Sequence, residues 1–142
     1  MIQTKQTVLL WLAAILPASL FKLTIASSAE QTETGIFADG VFTLGESTPS
    51  LIAYILAAVI IIATSLLYKN RALQVKTAWI SFLVLLVGMP LAVFMSINGT
   101  EAIARPGIAA LLVLVFSLVL IYLSVRFIKN DIAIVKSMDR LR

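Results

Sequence analysis

Apolar residues along this chain gather into four long runs, and the stretches between them are more polar. The runs are Val8–Ala26, Leu51–Tyr68, Thr77–Ile97 and Pro106–Val125. Each holds roughly 18–21 residues, which at about 1.5 Å per residue matches a hydrocarbon layer about 30 Å thick. Lys22 is the one charge inside any of them. A segment in lipid must satisfy its own backbone polar groups, so runs of this length predict helices rather than strands. The expected fold is an all-α integral membrane protein forming one domain over 1–142. Its four transmembrane helices cover about residues 5–26, 51–68, 77–97 and 106–137, with an outer loop 27–50 and an inner loop 69–76.

The first run also fits a secretory signal peptide, with Lys5 ahead of the apolar stretch and a small-residue sequence at Ala26–Ala29. It is long for such a peptide and carries both Pro17 and Lys22, so a retained helix is the expectation.

Charge then orients the bundle. Lys5, Lys69, Arg71, Lys76, Arg126, Lys129, Lys136, Arg140 and Arg142 fall on one side, and Lys22 and Arg105 on the other, nine against two of the eleven basic residues. Five of the acids, Glu30, Glu33, Asp39, Glu46 and Glu101, lie on the side poor in Lys and Arg. Basic residues accumulate on the cytoplasmic side of membrane proteins, so both termini are expected there. Trp11, Tyr68, Trp79 and Tyr122 sit near that same boundary, where amphipathic rings favour the headgroup layer. Lys22 lies near the outer end of its helix and can extend its ammonium toward water.

Composition narrows the chemistry. With 61% hydrophobic and 13% charged residues, the chain stands far from the roughly 25% charged content of soluble domains. It has no Cys and no His, which removes disulfides, thiolate chemistry and the usual neutral-pH acid–base side chain. No paired carboxylates, nucleophile–base set or metal-ligand spacing emerges. We therefore expect no catalytic residues, no cofactor and no metal, and a protein that is not an enzyme. The polar groups near mid-membrane are the hydroxyls of Ser19, Thr64, Ser65, Ser81 and Ser117, which can bond back to a carbonyl one turn earlier.

Three features remain as candidates. Pro17 and Pro90 should kink their helices, shaping the packing or opening a crevice. Ser81, Gly88, Ala92 and Ser96 line one face of the third helix, and Ala14 with Ala18 and Ala53 with Ala57 repeat the small-residue spacing. Such faces let helices approach closely, within this bundle or against a partner's helix. The closing stretch Asp131–Arg142 continues the fourth helix as an amphipathic extension. Ile128, Ile132, Ile134, Val135, Met138 and Leu141 lie on one arc, and Lys129, Lys136 and Arg140 on the other. Asp131 and Asp139 project on the apolar arc. They suit docking against a basic surface, either that of Lys69, Arg71 and Lys76 or one on a partner protein, and Lys129, Lys136, Arg140 and Arg142 complete the basic cytoplasmic face; two solvated aspartates on a frayed end is the alternative. In the outer loop, Asp39-Gly40 separates two β-prone runs, Ile36–Ala38 and Val41–Leu44, which predicts a small periplasmic hairpin or else an irregular loop anchored by phenylalanines.

Both ends of the chain resemble a known family. The opening Met1, Ile2, Gln3 with Lys5, and the closing Ser137, Asp139, Arg140, Leu141 and Arg142, are similar to those of an uncharacterised four-helix inner-membrane family of Bacteroidota, domain of unknown function 4293. The likeness covers the full length, with its specificity at the two ends. It implies a multi-pass protein of the bacterial inner membrane and carries no activity with it. Taken together, the expectation is a non-enzymatic accessory or stabilising subunit of a larger membrane complex, with protein translocation or insertion machinery as one host. The alternative is a small element that binds or transports a lipid or other apolar ligand. The expected partners are the lipid bilayer, other integral membrane subunits and anionic headgroups at the cytoplasmic face; no nucleic acid is expected.

Overall fold

A computed structural model describes residues 2–28, 40–43, 45, 48–88, 90–91, 94, 98 and 104–139. The chain is mostly helical. Helix α1 is Ile2–Ile15 and passes into a 3₁₀ segment, Leu16–Phe21. Two short strands follow, β1 at Ala26–Ser28 and β2 at Val41–Phe42. Helix α2, Thr48–Leu66, ends in the 3₁₀ turn Leu67–Lys69. Helix α3, Arg71–Leu83, runs into a π-helical stretch, Val84–Gly88. Strand β3, Ala104–Pro106, precedes the long helix α4, Ile108–Asp139. Three helical stretches, Leu51–Lys69, Arg71–Gly88 and Ile108–Met138, are long and apolar enough to cross a membrane.

The helices close into a ring, with α4 packed against α1 and α3, and α2 packed against the same two. Leu10, Ala13, Ala57, Ile61, Ala78, Leu85 and Ile121 are buried between them. The alanines matter because backbones can approach where side chains are small, which is how helices associate when lipid supplies no hydrophobic drive. Hydroxyls inside the ring are satisfied locally. Thr64 donates to the Ile60 carbonyl at 2.7 Å, Ser81 to Ala78 at 2.8 Å and Ser117 to Val113 at 2.8 Å. Large apolar side chains, among them Ile55, Val59, Leu83, Leu112 and Phe116, point outward. That is the pattern of a bundle whose outer solvent is lipid.

Both prolines change the helix around them. Pro17 has no N–H for the carbonyl of Ala13, and the α pattern gives way to 3₁₀ across it. Pro90 has none for Leu86, and the turn before it widens to π-helix over Val84–Gly88. Residues 90 and 91 are again helical.

At one end of the ring the three strands form a small antiparallel sheet in the order β2-β1-β3. Ala26 pairs with Phe42 and with Pro106. The first helix therefore stops at Phe21 instead of reaching residue 26, and the fourth starts at Ile108 instead of 106, because both flanks are spent on strands. Val41–Phe42 takes Ala26–Ser27 as its partner; the other expected hairpin arm, Ile36–Ala38, lies outside the described residues. Phe42 is fully buried within the chain. Gly40 has a φ of 75°, a left-handed turn that glycine adopts without strain. Gly107 is needed for proximity, since a Cβ there would sit 2.2 Å from the Thr24 carbonyl oxygen.

At the other end the expected loop 69–76 shrinks to a turn. Asn70 caps α3, its side-chain oxygen accepting from the Leu73 N–H at 3.2 Å, and Arg71–Lys76 form the first turns of the helix. Basic residues interrupt the hydropathy here without interrupting the helix, because Arg, Ala, Leu, Gln and Lys are all good helix formers.

Candidate functional site

The end of the ring opposite the sheet holds the single buried charge among the described residues. Asp131 lies near the end of α4 and is only 5% exposed. Gln6, 125 positions earlier on α1, donates from Nε2 to its Oδ2 at 2.6 Å. Arg71, the first residue of α3, brings Nη1 to within 3.4 Å of the same oxygen. Ser124, two turns back on α4 and fully buried, donates to the Gln6 carbonyl at 3.2 Å. Gln74, one turn beyond Arg71, is buried as well. One carboxylate thus gathers three helices at a single point.

The local sequence explains each position. Gln6 sits one turn into α1, with Lys5 exposed beside it. The Asn70 cap fixes where α3 begins and so where the Arg71 guanidinium emerges. Asp131 falls three residues after the buried Ile128, on the same inward face of α4. A buried carboxylate is costly unless it is paired and hydrogen-bonded, and this one is both. The Gln6 amide makes a charge-assisted hydrogen bond, roughly twice as strong as a neutral one, and the Arg71 guanidinium adds an ion pair at 3.4 Å.

Around this cluster lie the other basic side chains. Lys5, Lys69, Lys76, Arg126, Lys129 and Lys136 are all exposed, while Arg71 is partly covered by its pairing. Lys129 sits 5.9 Å from the ring centre of Trp79, which also meets Phe82 edge-on at 5.4 Å. Two open grooves flank the cluster. One, of about 360 Å³, is lined by Lys5, Val8, Leu9 and Phe127. The other, of about 460 Å³, lies between the α2–α3 turn and α4 and is lined by Lys69, Asn70, Arg71, Ala72, Ile132, Val135 and Lys136. Neither groove is lined by Pro17 or Pro90.

The remaining candidates separate. Ala14, Ala57 and Ser81 are buried, Ala53 is half-buried and Ala18 is exposed. Among the described residues, a Cβ at Gly88 would meet only Val84 of its own helix, at an ordinary 3.6 Å. Ala92, Ser96, Arg140 and Arg142 lie outside the described residues; Asp139 ends α4 and its side chain is not described. Beyond Asp131 the tail leaves the ring, with Ile134, Val135 and Met138 exposed. Sequence reasoning singled out Asp131 and Arg71 but missed Gln6, Gln74 and Ser124. Polar residues within reach of a helix end carry no pattern that separates a buried amide from a solvated one.

The family model for Domain of unknown function (DUF4293) matches residues 2–141, and the chain belongs to that family. Comparison with curated proteins finds no match, and comparison with solved structures finds none.

Proposed function

We propose that this DUF4293 family member is a non-enzymatic accessory or stabilising subunit of a larger complex in a bacterial inner membrane. It crosses the membrane four times, with both termini and the basic end in the cytoplasm. The observation that carries this reading is the use made of Asp131. An ionisable residue inside a membrane bundle is by default a candidate for transport or catalysis. Here it faces Gln6 and Arg71 on neighbouring helices, so its charge serves to hold the bundle together. The hydroxyls of Thr64, Ser81 and Ser117 are likewise spent on their own helices, and that of Ser124 on the Gln6 carbonyl of α1.

The fourth crossing is α1 with its 3₁₀ continuation. At about 1.5 Å per α residue and 2.0 Å per 3₁₀ residue, Ile2–Phe21 extends about 33 Å, enough to match the hydrocarbon layer. Cysteine at the exposed Asn98 should label from outside intact cells, and cysteine at the exposed Ala72 should not; the reverse pattern overturns the orientation. Purification in mild detergent followed by mass spectrometry tests the subunit role. Partner membrane proteins in fixed ratio support it. A chain that arrives alone with a retained lipid favours the ligand-binding reading, which the two open grooves at the basic end would serve.

A further inference from the structure

The groove between the α2–α3 turn and α4 combines two kinds of wall. Lys69 and Arg71 come from the turn, and Ile132, Val135 and Lys136 from α4, spaced so that all three lie on one helix face; Ala72 and Asn70 complete the lining. The polar part carries three cations, of which Arg71 is neutralised by Asp131, leaving Lys69 and Lys136 in excess. The Asp131 contact also holds the guanidinium in place at the groove wall, so a ligand meets an ordered donor. The apolar part, Ala72, Ile132 and Val135, suits a hydrocarbon chain. Depth agrees, granted the membrane reading above. Asp131 lies 23 residues along α4 from Ile108, about 35 Å, which sets the groove just past a hydrocarbon core of about 30 Å, at headgroup level.

We infer that this groove is a binding site for one anionic glycerophospholipid. Its phosphate lies between Lys69, Arg71 and Lys136, and an acyl chain runs along Ile132 and Val135. A free phosphate would use the cations and leave the aliphatic wall idle. A zwitterionic choline lipid brings the same phosphate but adds a quaternary ammonium to a site already in cationic excess. The lipid extends the clasp at Asp131 outward, tying the α2–α3 turn to the tail of α4 through a shared phosphate.

The test is native mass spectrometry of the full chain in mild detergent, titrated with dioleoylphosphatidylglycerol or dioleoylphosphatidylcholine. The phosphatidylglycerol adduct should dominate. Lys69→Gln with Lys136→Gln should weaken it about thirtyfold, from the worth of two basic side chains beside an anionic headgroup. Lys76→Gln with Arg126→Gln, which removes the same charge at exposed positions outside the groove, should leave the adduct in place. Glycerophosphate, which has no acyl chain, should fail to compete. Equal retention of the two lipids, equal loss from both double variants, or full competition by glycerophosphate would each overturn the site. Partner proteins are scored in a separate purification, so a failed lipid site leaves the subunit role standing, and the converse also holds.

Discussion

The two ends of this bundle are closed by different chemistry. At one end the backbone does it: the Ile25 N–H donates to the Phe42 carbonyl at 2.7 Å, Ser28 to Gly40 at 3.0 Å and Gly107 to Ile25 at 2.8 Å. At the other end side chains do it, with Asp131 gathering Gln6 and Arg71 from two other helices. Backbone closure is nearly indifferent to the exposed side chains the strands carry, and fails where a glycine is needed for space or for a left-handed turn, or where a buried side chain such as Phe42 is cut back. Side-chain closure rests on a few identities, and each loss leaves a buried polar group unmatched. Outside Gly40, Gly107 and the buried Ile25, Ala26 and Phe42, the sheet end should tolerate substitution, whereas the Asp131 end depends on the identity of each partner.

The largest expected effect comes from breaking the charged contact on one side. Arg71→Met leaves the Asp131 carboxylate buried with Gln6 alone. Removing one partner of a buried ion pair costs 3–5 kcal/mol, and because Arg71 is partly exposed we expect the lower bound, about 3 kcal/mol. The measurement is unfolding in detergent micelles. A loss below about 0.5 kcal/mol, the size of an exposed surface pair, would place the pair in the ordinary surface class and remove the contrast between the ends.

Next is the weak point of the backbone end. Gly107→Ala puts a methyl against the Thr24 carbonyl, a backbone atom that cannot swing aside. The strain of such overpacking should cost about 2 kcal/mol. Faster amide exchange at Ile25 and Gly107, with exchange near Gln6 unaltered, would show that the two ends open independently. A smaller loss, about 1.5 kcal/mol, is expected for Gln6→Leu, which removes a hydrogen bond to a charged acceptor but leaves Arg71 in place. If Gln6→Leu costs more than Arg71→Met, the amide and not the guanidinium anchors the clasp.

These particulars also show what could be read in advance. The apolar runs located the long helices, since a span of lipid-facing residues has a length that physics fixes. Asp131 and Arg71 stood out because a charge on an apolar arc, or a basic cluster at a membrane face, departs from its surroundings. Gln6 could not stand out, as its partner lies 125 residues away and an amide fits a solvated helix end equally well. Strands of two and three residues at Val41–Phe42, Ala26–Ser28 and Ala104–Pro106 are too short to show an alternating pattern. Gly88 is a different case. Small-residue spacing signals close packing only where another helix meets that residue, and among the described residues a Cβ there would meet only Val84. Gly88→Ala should therefore stabilise the chain by about 0.5–1 kcal/mol, the preference of a helix for alanine over glycine. A loss of several times that size would show that a helix or partner does press on this face.

The most direct test of the Asp131 clasp is a double-mutant cycle on Arg71→Met and Asp131→Leu, read from unfolding in detergent micelles. Either change alone strands a charged group; replacing both removes the unmatched charge, and the Gln6 amide loses its acceptor in Asp131→Leu and in the double variant alike, so that cost cancels in the cycle. The account predicts that the double variant loses less than the sum of the two single losses, with a coupling of at least about 1 kcal/mol between the two positions. Additive losses, with the double variant as unstable as the sum of the two single ones, would contradict it.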